Sequence, residues 1–200
     1  MLRVVWLTIF LSVFVWSAIN PADYPTWLLE VSPAAMALGV LAYTYRSFPL
    51  TSLTYSLILL HSIVLLIGGH YTYAEVPFFE PGALGLGFER NNFDKLGHFM
   101  QGFVPAVVAR EILIRKAVVN SAAWRDFFIV CFCLGFSAFY ELLEWAVALL
   151  SATAAEAFLG TQGYVWDTQS DMAFALLGAM LALVLLAPIH DRQLRALRKA

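Results

Sequence analysis

Apolar residues in this chain run in long blocks, and the polar residues gather mainly between them. A helix needs roughly 20 mainly apolar residues to cross about 30 Å of hydrocarbon. Six blocks qualify as spans, over residues 4–19, 27–45, 53–69, 94–114, 126–150 and 168–188. Turn and breaker residues punctuate them: Asn20-Pro21, Phe48-Pro49, Gly68-Gly69, Pro81-Gly82 and, closing the last, Pro188. Asn20-Pro21 follows the first block where a signal peptide would carry a small-residue cleavage site, so that block reads as a retained helix. The predicted fold is all-α, a polytopic bundle of six transmembrane helices forming a single membrane domain over residues 1–200. An external loop over 70–93 joins its halves.

Composition names the same solvent. Hydrophobic residues make up 61% of the 200 and charged residues 13%, against about 45–50% and about 25% in a typical globular chain. A soluble fold of this size has no interior large enough for that apolar surface, and disorder is excluded by the same figures. The 15% aromatic content suits membrane–water interfaces. A net charge of −2 gives no reason to expect a nucleic-acid partner; the expected partner is the lipid bilayer.

The twelve basic residues then orient the bundle. Arg3, Arg46, Arg110, Arg115, Lys116, Arg125, Arg192, Arg195, Arg198 and Lys199 fall on one side, leaving Arg90 and Lys95 for the other. Positive residues stay cytoplasmic, so both termini are expected inside. Asp23, Glu75, Glu80, Glu89, Glu156 and Asp167 then lie in outward connections. Glu30, Asp94, Glu141, Glu144 and Asp171 lie in the outer halves of spans, and only Glu111, Asp126 and Asp191 lie inside.

Acids within spans carry the information, since an ionised group in hydrocarbon costs about 2.5–3.5 kcal/mol by insertion scales and needs a partner. The fourth span opens Asp94-Lys95-Leu96-Gly97-His98 and continues to Gln101. Asp94 and His98 share a helical face that Gln101 extends. Asp94 reads equally as a helix cap or as a group that orients or shares a cation with the imidazole. The fifth span carries Glu141 and Glu144, three apart. Two such carboxylates in low dielectric do not both stay ionised cheaply without a positive partner, unless the helix ends near Glu144 in water. Asp167 and Asp171 are four apart at the start of the sixth span; Asp167 alone reads as a cap, and Asp171 lies one turn deeper. His70 and Tyr73 stand at the same level after the third span. The connection to Phe93, over twenty residues long, is of a length used for lids and binding loops.

The motifs that carry a resemblance are His70-Tyr71-Thr72-Tyr73, the run Glu89-Arg90-Asn91-Asn92-Phe93-Asp94-Lys95-Leu96-Gly97-His98-Phe99-Met100-Gln101-Gly102-Phe103, and Tyr140-Glu141-Leu142-Leu143-Glu144-Trp145. Phe158-Leu159-Gly160-Thr161-Gln162-Gly163, Trp166-Asp167 and Gln169-Ser170-Asp171-Met172 complete the set. In these, over nearly its whole length, the chain resembles the YjdF family of bacterial inner-membrane proteins. Tyr164 stands where that pattern has a small or acidic residue. More distantly, the Asp94-Lys95-x-x-His98 helix, the glutamate helix and the last aspartate helix are similar to the VanZ-like family. Its members are associated with resistance to glycopeptide antibiotics. Ala175 replaces the asparagine expected four residues after the last aspartate. The resemblance implies a bacterial inner-membrane protein with an outward polar site and names no substrate.

Other features read as structural. His61, in mid-span, is expected to hydrogen-bond a neighbouring helix. Cys131 and Cys133, two apart on a helix, diverge and support neither a disulfide nor a zinc motif. Ala175-x-x-x-Ala179 and Gly178-x-x-x-Ala182 suggest close packing of the last helix. The basic tail from Asp191 to Lys199 serves topology.

Three functions fit these residues. In the first, an enzyme acts at the periplasmic face on a lipid or lipid-linked envelope substrate. Asp94, His98, Glu141, Glu144 and Asp171 are its catalytic groups or the ligands of a divalent cation, with Zn²⁺, Mn²⁺ and Mg²⁺ all compatible. His70, Tyr73, Arg90, Lys95, Gln101, Asp167 and Gln169 are its candidate substrate contacts. The second is a small proton- or cation-coupled transporter or flippase, disfavoured by polar groups at one leaflet only. The third is a non-catalytic envelope-binding scaffold.

Overall fold

A computed structural model describes residues 2–79, 90–150 and 165–198 of the chain. Among these the regular structure is helical: α1 (Leu2–Ser17), α2 (Tyr24–Thr44), α3 (Ser52–Tyr71), a 3₁₀ turn (Pro77–Phe79), α4 (Phe93–Arg115), α5 (Ala122–Leu150) and α6 (Asp167–Leu197). The apolar blocks form these helices, and local chemistry sets several of their ends. Asp23 caps α2 by accepting the Thr26 N–H at 2.8 Å. The proline in the first turn of α2 needs no N–H partner there. Thr51 caps α3 through the Thr54 N–H at 3.3 Å. α3 ends on two left-handed residues, Thr72 at φ 58° and Tyr73 at φ 56°, which turn the chain back so that the Tyr73 N–H meets the Gly68 carbonyl at 2.8 Å.

α4 is the axis of the bundle and packs against α3, α5 and α6, with α6 its most extensive neighbour. Small residues make that pairing close. A Cβ at Gly102 would strike the backbone of Ala175, and one at Gly178 the backbone of Phe99. Ala175, Ala179 and Ala182 are almost completely buried beside them. One apolar cluster, Ala106, Val107, Ile129, Cys133, Ala179 and Ala182, joins α4, α5 and α6. A second, built on Val64, Phe93, Met100 and Val104, joins α3 to α4 and reaches Val76 beyond α3. α1 and α2 flank α3, where Trp6 donates to the Tyr55 carbonyl at 2.8 Å and Trp27 to the Ser17 hydroxyl at 3.2 Å.

Among the described residues α2, α3, α5 and α6 are long and apolar enough to cross a membrane. α1 is apolar but has 16 residues, and α4, with 23, carries Asp94, Lys95, Arg110, Glu111 and Arg115. Large apolar side chains stand exposed along the outer faces of α1, α2, α5 and α6, as lipid requires. The last helix differs from its sequence expectation: it runs through Pro188 to Leu197 rather than stopping there. A proline forfeits one helix hydrogen bond, and the turns beyond it are anchored by tertiary contacts. His190 and Leu194 are buried, Asp191 pairs with Arg110, and Gln193 accepts the Leu53 N–H at 2.9 Å.

Candidate functional site

The helices alternate in direction, so one end of the bundle gathers the starts of α2, α4 and α6 with the ends of α3 and α5. Asp94 and His98 come from the first turns of α4, Asp171 from α6, and Glu141 and Glu144 from the far part of α5. Neither Asp94 nor Asp167 is the cap residue of its helix. Asn92 and Trp166 hold those positions without a side-chain cap bond, which leaves both carboxylates available for other partners.

His98 is the centre of the cluster. Its Nδ1 lies 3.1 Å from Gln101 Oε1, a carbonyl oxygen that only accepts, so Nδ1 carries the proton. Its Nε2 faces Asp94 Oδ1 at 3.3 Å and Glu141 Oε1 at 3.5 Å. A bare lone pair between two carboxylates is repelled by both, so this position calls for a proton or a metal ion. Two groups of potential ligands share the imidazole, Asp94–His98–Asp171 and His98–Glu141–Glu144, and within each the donor atoms lie within 4.8 Å of one another. Glu141 Oε1 and Asp171 Oδ1 are buried without a hydrogen-bond partner, and their side chains belong to residues 7% and 3% exposed. Such atoms carry a full desolvation cost unless something fills the site.

Asp167 closes the outer rim. Its Oδ1 meets Arg90 at 2.8 Å and Lys95 Nζ at 3.9 Å. Tyr73 lies on the α3 side, its ring laid so closely over Gly97 that a side chain there would collide with it. Burial, and after it the Glu30 carboxylate, push the Tyr73 phenol well above its ordinary pKa, so it stays a hydroxyl donor.

Beside His98 opens a half-enclosed cavity of about 60 Å³, lined by Asp94, His98, Gln101 and Glu144 together with Glu30, His61, Tyr73 and Tyr140. Sequence reasoning had not placed Glu30, His61 or Tyr140 among the site residues. The signal for Glu30 was present, since it is the lone acid of the second apolar block. His61 brings a buried Nε2 without a hydrogen-bond partner.

Two sequence candidates lie apart. His70 Nδ1 meets the Ser17 carbonyl at 3.1 Å, and its ring packs on Trp16 and Tyr71, which ties α3 to α1. Gln169 is exposed on the first turn of α6. Residues 80–89 of the external connection and 161–164 of the Gly160–Tyr164 motif lie outside the described residues, as do Glu156 and Gly160.

A second polar cluster, which sequence reasoning missed, lies at the other end of α4. Glu111 is completely buried and accepts from the Thr51 N–H (2.9 Å), Thr51 Oγ1 (2.9 Å), Thr54 Oγ1 (2.7 Å), Arg115 (2.9 Å) and His190 Nε2 (3.1 Å). Arg110 links His190 Nδ1 at 3.2 Å to Asp191 at 2.8 Å. Here no buried side-chain oxygen lacks a hydrogen bond, whereas Glu141 Oε1 and Asp171 Oδ1 of the His98 cluster do. The Glu111 cluster is a clamp between helices, and the His98 cluster is the candidate site.

Comparison with known proteins agrees with the fold. Residues 2–192 match the family described as "Predicted membrane protein (DUF2238)". The chain is 50% identical over 183 residues to the inner membrane protein YjdF of Escherichia coli (strain K12), an alignment that covers 92% of this chain and 88% of that protein. No solved structure matches it significantly.

Proposed function

The chain belongs to the DUF2238 family of membrane proteins and is a bacterial inner-membrane protein; from that premise we propose that its His98 cluster holds a divalent cation and acts on a lipid or lipid-linked cell-envelope substrate. The observation that carries the proposal is the pair of buried oxygens without a hydrogen bond, Glu141 Oε1 and Asp171 Oδ1, beside an imidazole whose Nε2 faces carboxylates. Ligand atoms held 2.0–2.1 Å from a tetrahedral ion are about 3.3 Å apart, close to the 3.3 and 3.5 Å between His98 Nε2 and its two carboxylate neighbours. Gln101 supplies the outer hydrogen bond that metal-binding histidines use to fix their tautomer.

In this reading His98 holds the ion with carboxylates drawn from Asp94, Glu141 and Asp171, with oxygen and nitrogen donors suited to Zn²⁺, Mn²⁺ or Mg²⁺. A bound divalent cation supplies Lewis acidity toward an ester or phosphoryl oxygen. Glu144, not required as a ligand, is then placed to move a proton. Arg90 and Lys95 at the rim suit an anionic group on the substrate. The distribution of basic residues supports a periplasmic position for the site, because the Arg110–Arg115 end of α4 lies opposite.

Metal analysis of the purified protein tests the proposal. Wild type is expected to carry or take up about one equivalent of Zn²⁺, Mn²⁺ or Mg²⁺, and Glu141→Gln and Asp171→Asn to lose at least tenfold in affinity at unchanged dispersity. Wild-type protein that retains no metal after dialysis against each of the three ions overturns it. Substrate flux through reconstituted vesicles without chemical change would favour the transporter reading instead.

A further inference from the structure

The cavity beside His98 has walls from two helices that barely meet. Glu30 and Pro33 come from α2, and Phe136, Tyr140 and Glu144 from α5. α2 packs on α3, and α5 on α4 and α6, with no extensive contact between α2 and α5 among the described residues. A cavity walled by two unjoined outer helices of a membrane bundle opens sideways, toward lipid. Phe136 marks the mouth: it lines the cavity and is still 40% exposed on the outer surface of α5.

The lining is graded. Pro33, Leu65 and Phe136 make an apolar part, while Glu30, Glu144, Asp94 and the hydroxyl-bearing Tyr73 and Tyr140 make the other. At about 60 Å³ the cavity admits a small polar group. A primary ammonium has three donors and no acceptor, which suits two carboxylates reaching in from opposite helices and a tyrosine hydroxyl, and an aromatic ring stabilises a cation further.

We propose that the gap between α2 and α5 is a lateral entrance through which a membrane lipid with a primary ammonium headgroup places that group between Glu30 and Glu144. The proposal rests on the reading of the His98 cluster as the working site and names the class of substrate it receives. Asp94 and His98 line the same cavity as Glu30, so a headgroup held there lies next to the proposed ion-binding groups. The acyl chains remain in the bilayer, and only the headgroup leaves it.

Native mass spectrometry of the full-length protein tests this, with equimolar phosphatidylethanolamine and phosphatidylglycerol of identical acyl chains added to the detergent solution. Wild type is expected to retain phosphatidylethanolamine at least fivefold over phosphatidylglycerol, and Glu30→Gln to bring the two near parity while metal content stays at the wild-type level. Phe136→Trp, which fills the mouth without altering charge, is expected to lower retention of the ammonium lipid; it supplies the test if Glu30→Gln fails to fold. Equal retention of both lipids by wild type, or an unchanged preference in both variants, overturns the proposal. Displacement of the lipid by millimolar free ethanolamine also overturns it, by showing a site for soluble amines. Absence of metal with intact lipid preference would remove the metal reading and leave this one standing.

Discussion

His190 donates its Nε2–H to Glu111 Oε2 across 3.1 Å, and neither side chain has any exposure. The direction is settled by Arg110: a guanidinium only donates, so the His190 Nδ1 it meets at 3.2 Å must accept, and the proton resides on Nε2. The pair joins α4 to the part of α6 beyond Pro188 and, through Thr51 and Thr54, to the start of α3.

That clamp makes a stability prediction. Glu111→Ala removes the acceptor shared by five donors and leaves the Thr51 N–H and His190 Nε2–H without one, and breaking such a buried charged cluster costs about 3–5 kcal/mol. His190→Leu removes one donor to Glu111 and one acceptor from Arg110, for about 1–3 kcal/mol. Both variants should unfold at lower denaturing-detergent fraction than wild type, in that order. Metal content of the protein that remains folded should not change, because Asp94 and Glu111 are separated by 17 positions of α4, roughly 25 Å along a helix.

Gln101 makes a different prediction, since it touches the imidazole and none of the carboxylates by hydrogen bond. Gln101→Leu keeps the side-chain bulk and removes the acceptor for the His98 Nδ1–H. Loss of an outer hydrogen bond to a ligand histidine typically weakens metal binding 10–100-fold. Competition with a chelator should show that weakening in Gln101→Leu, and Gln101→Glu, which restores an acceptor, should recover most of it. Equal affinities in wild type and Gln101→Leu would separate Gln101 from the site.

Much of this was legible in the chain, for identifiable reasons. Helices longer than the bilayer leave unbroken apolar blocks, and the all-helical membrane fold follows from them. The stripe Asp94–His98–Gln101 is legible because helical neighbours recur at three and four positions. What sequence could not supply is which helices stand together. Glu30 shares a cavity with Asp94 only because α2 and α4 both flank α3, and Glu111 finds His190 79 positions away. Pro188 misled for a related reason: a breaker's local cost is outweighed by contacts, at Asp191, Gln193 and Leu194, that no local pattern announces.

The glycines divide into two predicted classes. Gly102→Val and Gly178→Val drive a side chain into the facing backbone of Ala175 or Phe99, where no flexible group can yield. Overpacking of this kind costs typically 1–3 kcal/mol, more where backbone must move. Gly39 and Gly135 have open space around the same position. Alanine there should be neutral or stabilising by up to about 1 kcal/mol through helix propensity. Expression level and thermal unfolding of the four variants check the division, and a destabilised Gly135→Ala would contradict it.

Arg90 and Asp167 test whether the rim is an ion pair or a charged helix start. Asp167 lies in the first turn of α6, where a carboxylate favours the helix dipole in its own right. It also sits 2.8 Å from Arg90 with its side chain 5% exposed. If the pair dominates, Arg90→Ala and Asp167→Asn each lower the unfolding midpoint, and the double variant is little worse than either, with a coupling energy of about 1 kcal/mol or more. A dipole role would make the two losses additive, because Asp167 would stabilise α6 as well without Arg90 as with it. The non-additive outcome is expected, since a buried carboxylate close to a guanidinium loses more from an absent partner than a screened first-turn charge contributes.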